Sequence, residues 1–214
     1  MQQFSADHYF YGDPLRYIIL DSFADVPDEN YYARVNDFLS SSSPRVWNVY
    51  PTAQRPDGLH VTERSLADNQ YAACDMPPEV AGYRLELYTR TDLPADVQFG
   101  DGIGLRLVTA LPAATGSTLD VTLGITVAAD VPPETYSIGL HVVDAAGNLI
   151  AQSDAGLPNV PFTCRHALIN NLPPGEYTLL ALVYEWQTQE RLQGTLTATD
   201  ETGERLPLGS FRVR

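Results

Sequence analysis

The 214-residue chain contains no lysine; all 13 of its basic residues are arginine. That absence removes Schiff-base catalysis, a P-loop lysine and a Ser-Lys dyad from consideration. Positive charge of any kind is scarce, with 13 arginines against 27 Asp and Glu for a net charge of −14. Polyphosphate partners are therefore repelled. Divided at residue 95, the chain has 7 Arg against 14 acidic residues before that point and 6 against 13 after it. No basic half hides behind an acidic average, so nucleic-acid binding and docking on anionic lipid are disfavoured. Cysteine is nearly as rare, with only Cys74 and Cys164. A zinc site needs about four ligands at short spacing, and these two do not supply them. One disulfide in an extracytoplasmic compartment and two separate buried thiols both remain open, and the demanding geometry of a disulfide favours the thiols.

Long apolar runs are missing as well. The longest, Leu179–Tyr184, spans six residues, against the ~20 that cross a bilayer. The opening MQQFSADHYF has neither a basic n-region nor an apolar h-region, so it does not read as a signal peptide. On these grounds the protein is either cytoplasmic or a piece of a longer chain. Catalytic signatures are absent too. His8, His60, His141 and His166 do not fall at metal-ligand spacing within one element, and no HExxH or GxSxG motif occurs. GDGIG (100–104) leads into a strand rather than a helix, so it lacks the amide cradle that holds phosphate and reads as a linker turn. No catalytic, cofactor-binding or metal-binding residue is assigned, and no cofactor is implied.

What is present divides by periodicity. In the first part, RYIIL (16–20), RVWNVY (45–50), QYAACD (70–75) and YRLELYTR (83–90) read as strands. YYARVNDFL (31–39) places Tyr32, Val35, Phe38 and Leu39 at helical spacing, with Asp28 or Asn30 as candidate caps. SSSSP (40–44) ends it, and LHVTERSLA (59–67) is a second helix. Strand–helix–strand order predicts parallel neighbours joined by right-handed crossovers, a small α/β (βαβ) domain over residues 1–95.

From residue 96 the period becomes two. Leu119, Val121, Leu123, Ile125 and Val127 alternate with polar or small residues, as do Tyr136, Ile138, Leu140 and Val142, and then Tyr177, Leu179, Ala181 and Val183. Alternation of this kind marks strands with one buried face. By phase, His141 is expected on the wetter face. Turn signals at DAAGN (144–148), LPNVP (157–161), NNLPPGE (170–176) and DETGE (200–204) separate about eight strands. The reading is an antiparallel β-sandwich over residues 96–214. PPETYSIGLHVV (132–143) and PPGEYTLLALVY (173–184) share a Pro-Pro pair ahead of a tyrosine-led strand. In LPPGEY (172–177), Gly175 permits a bend and Tyr177 supplies a hydroxyl for backbone upstream, resembling the tyrosine corner of immunoglobulin and fibronectin-III folds.

GSTLDVTLGITV, PPETYSIGLHVVDAAGNLIAQSDAGLP and LPPGEYTLLALVYEWQTQERL together resemble the C-terminal sandwich of bacterial membrane glycosyltransferases of the protein-mannosyltransferase (family-39-like) type. HYFYGDPLRYIIL, PRVWNVY and YRLELYTR are similar in kind to the α/β region that precedes it. The resemblance implies an extracytoplasmic location, tethered in the full-length protein, with the catalytic acidic residues in a membrane portion not represented here. No family catalytic residue maps onto this sequence.

Two sets of residues remain as candidates. The carboxylates at Asp144 and at Asp200, Glu201 and Glu204 sit in predicted turns, where backbone needs explain them better than calcium does. Tyr184 and Trp186, in YEWQTQERL, are candidates for carbohydrate contact through exposed rings, against the alternative that Trp186 packs on the other sheet or the α/β half. Trp47 reads as core, and Tyr9, Tyr11, Tyr17, Tyr31 and Tyr32 as a possible groove or seam. The functional expectation is a non-catalytic region of a membrane glycosyltransferase-like protein with an accessory or acceptor-presenting role. The alternative is a free-standing surface module that binds carbohydrate or protein. The partners expected are a glycan or the membrane-embedded portion of the same protein, with no nucleic acid and no direct membrane insertion.

Overall fold

The structure is a computed structural model that describes residues 29–40, 44–51, 59–74, 82–100, 102–112 and 118–213. The chain divides into two compact units, residues 1–43 with 54–69 and residues 44–53 with 70–214. The sequence reading divides it instead at residue 95; the strands between 44 and 95 belong with the larger unit. The predicted strand at 16–20 lies outside the described residues. Among those residues, no helix is long and apolar enough to cross a membrane.

The smaller unit contains two helices. α1 (Glu29–Ser40) buries Val35 and Leu39, which stand four residues apart on one face. Asn30 lies inside this helix rather than capping it, and Asp28 is outside the described residues. α2 (Leu59–Asp68) buries Ser65 and Leu66. Tyr32 donates to Asp68 at 2.7 Å and Asn69 Nδ2 to Asn36 at 2.6 Å, tying the two helices together.

Three strands open the larger unit: β1 (Arg45–Pro51), β2 (Tyr71–Ala73) and β3 (Tyr83–Arg90). They form a sheet in the order β1-β3-β2. β3 is antiparallel to both neighbours, with Arg45 opposite Thr89 and Tyr71 opposite Arg90. This corrects the expected parallel pairing. β1 and β2 do run the same way, as strand–helix–strand order requires, but β3 occupies the position between them. Sequence order sets direction; it does not set adjacency.

The remaining strands build a β-sandwich. β4 (Val97–Phe99), β5 (Ile103–Pro112), β6 (Leu119–Val127), β9 (Phe162–Ile169), β11 (Gly194–Leu196) and β12 (Thr202–Gly203) form one layer in the order β12-β11-β4-β5-β6-β9. β7 (Tyr136–Asp144), β8 (Leu149–Gly156), β10 (Gly175–Glu185) and β13 (Leu206–Val213) form the other, in the order β13-β10-β7-β8. Every pairing in both layers is antiparallel.

The two-residue rhythm places the core as expected. Leu119, Val121, Leu123 and Ile125 of β6 face Ile138, Leu140 and Val142 of β7 and Leu179, Ala181 and Val183 of β10, all buried in one cluster. Each such aliphatic side chain larger than alanine contributes about 1.5–3 kcal/mol through removal from water. Arg165 closes one edge between the layers, its guanidinium donating to Ile138 O and Ser153 Oγ, each at 3.0 Å. Of GDGIG, Gly100 follows β4 and Ile103 and Gly104 already belong to β5.

The three-stranded sheet covers the outer surface of the six-stranded layer. Leu87 and Cys74 pack on Val108 and Cys164, with Trp47 and Phe162 against them. Arg45 Nη1 donates to Val108 O at 2.5 Å, and Arg106 Nη2 donates to Thr89 Oγ1 at 2.9 Å and to Arg90 O. A disulfide joins Cys74 to Cys164 across the same contact. The expectation of separate thiols is thereby corrected: β2 ends on the face to which β9 presents Cys164, with the Cα atoms 4.9 Å apart, inside the span a disulfide requires.

Candidate functional site

The site begins with the phase of β10. Its odd-numbered residues Tyr177 to Val183 enter the core, so Thr178, Leu180, Leu182 and Tyr184 stand on the outer face. Register then specifies their neighbours: Tyr184 lies opposite Ser137, Leu182 opposite Gly139 and Leu180 opposite His141 on β7. One strand further, Gly139 is opposite Asp154 and His141 opposite Gln152 on β8. On the other edge of β10, Arg191 pairs with Tyr184 through an isolated bridge.

These rows bring a polar set together. Tyr184 Oη donates to Asp154 Oδ1 at 3.3 Å, and Gln152 Nε2 donates to Asp154 Oδ2 at 3.0 Å. Burial, followed by the Asp154 charge, pushes the Tyr184 phenol above its ordinary pKa, so it remains a donor at neutral pH. Gly139 makes the arrangement possible. A Cβ at that position would meet Asp154 Oδ1 and a Leu182 methyl at 2.8 Å each, so any larger residue would push these two side chains from their places over β7.

Trp186 follows at the turn after β10. Its indole Nε1 donates to Glu134 O at 2.7 Å and its backbone N to Thr135 O at 3.2 Å. Gln189 Nε2 donates to Trp186 O at 2.7 Å, and Thr188 Oγ1 to Glu185 Oε2 at 2.8 Å. The indole is thus held by its polar edge while the residue remains 51% exposed. Tyr184 is engaged in the sheet, and Trp186 is the open ring of the pair.

Gly175 and Tyr177 belong to the scaffold behind this face. Tyr177 Oη donates to Pro173 O at 2.7 Å, four residues upstream, and its ring stacks on Phe211 at 5.6 Å. Gly175 does not take a left-handed backbone conformation. A Cβ there would lie 3.2–3.4 Å from the Tyr177 ring and hydroxyl, so glycine leaves room for the ring to fold back.

His141 departs most from the sequence reading. It stands on the outer face, as its phase requires, yet it is only 6% exposed. Nδ1 is buried without a hydrogen-bond partner, an arrangement that costs roughly 1–3 kcal/mol. Burial first, then Arg205, holds its pKa below the ordinary histidine value; Asp154 opposes this and Arg191 adds to it. Arg191 Nη1 is 3.7 Å from Glu204 Oε2. Arg205, just before β13, is exposed and makes no hydrogen bond or ion pair with another described residue. Asp154, Gln152, Arg191 and Arg205 were not singled out from sequence. The available signal was the phase of AQSDAG (151–156), which puts Gln152 and Asp154 on one side.

The Asp144 carboxylate serves its own turn. Asp144 Oδ1 accepts from Ala146 N and Asn148 N, and Oδ2 from Asn148 Nδ2, each at 2.9 Å. These bonds, the Asn148 side chain foremost, hold Asp144 below its usual carboxylate range. Among the described residues, no three His, Cys, Asp or Glu side chains gather to hold a metal. His166 meets Asp120 at 2.5 Å on the outer face of the six-stranded layer. His8 and the early tyrosines Tyr9, Tyr11 and Tyr17 lie outside the described residues.

No protein-family model matches the sequence, and no curated protein matches it. Among solved structures, a Bifidobacterium dentium β-glucuronidase complexed with coumarin-3-O-glucuronide is similar over 61% of this chain and 19% of its own, at 17% identity and a TM-score of 0.31. A Bacteroides uniformis β-glucuronidase is similar over 56% of this chain and 17% of its own, at 13% identity and a TM-score of 0.31. An endonuclease/exonuclease/phosphatase from Beutenbergia cavernae is similar over 81% of this chain and 58% of its own, at 12% identity and a TM-score of 0.30. This chain spans under a fifth of the length of either glucuronidase.

Proposed function

We propose that the chain is a non-catalytic, extracytoplasmic accessory region of a membrane glycosyltransferase-like protein, and that the outer face of β7, β8 and β10 holds an acceptor glycan. The half-exposed Trp186 ring carries this reading. A ring fixed by its own N–H needs no further ordering when an apolar sugar face stacks on it. Asp154, Gln152 and Tyr184 on the same sheet offer acceptors and donors of the kind that read sugar hydroxyls. In this reading the sandwich is of the immunoglobulin and fibronectin-III type, which the Tyr177–Pro173 bond supports. The Cys74–Cys164 disulfide supports an oxidising compartment. The partners are a glycan and the membrane-embedded portion of the same protein, without nucleic acid and without direct insertion into the bilayer. Isothermal titration with a panel of neutral oligosaccharides tests it. The chain is expected to bind at least one of them, and Trp186→Ala to weaken that binding by about tenfold. Failure to bind any member at millimolar concentration would remove the glycan from the proposal.

A further inference from the structure

The outer face contains more charge than sugar hydroxyls require. Arg191 pairs with Tyr184 across β10. Leu206, the first residue of β13, lies opposite Ala181 and points inward. Arg205 lies in the bend just before it, next to the row of Leu182, Gly139 and Asp154 and one row from His141, and its charge acts on the imidazole. His141 is faced by Leu180 from β10 and Gln152 from β8, with Asp154, Arg191 and Arg205 as the charged groups acting on it and Glu204 paired loosely to Arg191. Two guanidinium groups thus stand with two carboxylates, and the charge of this cluster is balanced without His141. Asp154 is committed to Tyr184 and Gln152. Arg205 is uncommitted, and the buried His141 has an Nδ1 with no partner.

We propose that this cluster takes the carboxylate of an acidic saccharide, with Arg205 as the primary contact, Arg191 beside it, and a proton gained by His141 as the anion arrives. The proposal rests on the glycan-holding reading of the same face and adds the class of sugar. A planar guanidinium matches a carboxylate with two parallel hydrogen bonds. The incoming negative charge compensates a positive imidazole that the empty face disfavours. Affinity for the acidic sugar should therefore rise as pH falls through the histidine range, while affinity for a neutral sugar should not.

The test titrates the chain with an oligogalacturonate and a neutral oligogalactoside of equal length, at pH 5.5 and pH 7.5, and follows the His141 imidazole by NMR. The expected result is at least about tenfold preference for the acidic oligomer at pH 5.5. That preference should shrink at pH 7.5 and disappear in Arg205→Gln, a change at an exposed residue, and the His141 pKa should rise on binding. Equal affinity for both oligomers, reduced together by Trp186→Ala, would overturn this proposal and leave the glycan reading standing. Preference for the acidic oligomer that survives Arg205→Gln with the His141 pKa unmoved would also overturn it. Binding of neither would remove both.

Discussion

Reducing the bond between Cys74 and Cys164 is the perturbation whose size follows most directly from the fold. The two cysteines are 90 residues apart in sequence. Closing a loop of that length removes about 15 cal/mol/K of entropy from the unfolded chain, or roughly 4.6 kcal/mol at 25 °C in the chain-entropy model. Measured losses for native disulfides run from about 2 to 5 kcal/mol, so the estimate lies near the upper end. For a chain of this size each kcal/mol moves the midpoint by about 2–4 °C, which gives a drop of roughly 9–18 °C. The assay is thermal unfolding of the protein with and without dithiothreitol, alongside Cys74→Ser/Cys164→Ser. The reduced protein retains both sulfurs and isolates the cross-link; the double variant adds a small packing loss in the Leu87, Val108, Trp47 and Phe162 cluster. Identical midpoints with and without reductant would refute the reasoning. Two free thiols found in the denatured, unreduced protein would refute the pairing itself.

Tyr177→Phe removes the 2.7 Å bond to Pro173 O and should cost about 1–2 kcal/mol, read as a lower urea midpoint at unchanged slope. Gly139→Ala forces a methyl against Asp154 and Leu182 at 2.8 Å, and should destabilise by about 1–3 kcal/mol on the same measurement. His141 has a pKa lower in the folded state than in the unfolded chain, so the unfolded state takes up its proton first as pH falls. Stability attributable to His141 is complete above about pH 6.5 and declines below it, by up to about 1.4 kcal/mol per pH unit until the folded pKa is reached. Urea unfolding of the wild type and His141→Gln from pH 8 to pH 5 checks this, and parallel curves would contradict it.

Much of the sandwich was legible because its physics is local. Alternation in 119–127, 136–142 and 177–183 records which side of each strand meets the core, the Pro-Pro pairs mark where two strands begin, and turns such as DAAGN mark where strands stop. Adjacency was not legible. Nothing within YRLELYTR says that β3 inserts between β1 and β2, because that choice depends on long-range pairing. The disulfide was open for the same reason: its geometry exists only once the small sheet lies on β9. At the site, the aromatic signal of Tyr184 and Trp186 was visible in sequence, but their different fates were not. Tyr184 reaches Asp154, two strands away, over a glycine on the strand between them, whereas Trp186 is held by a carbonyl at residue 134. His141 was assigned to its proper face and the wrong environment, because alternation predicts which way a side chain points but not what crosses above it.

Chemical-shift mapping of the ¹⁵N-labelled chain, titrated with oligosaccharides, probes the glycan-holding face most directly. The account predicts perturbations clustered at Ser137, His141, Gln152, Asp154, Tyr184, Trp186, Arg191 and Arg205, with the Trp186 indole N–H among the largest. Shifts confined to the six-stranded layer, or no shifts at saturating sugar, would contradict it.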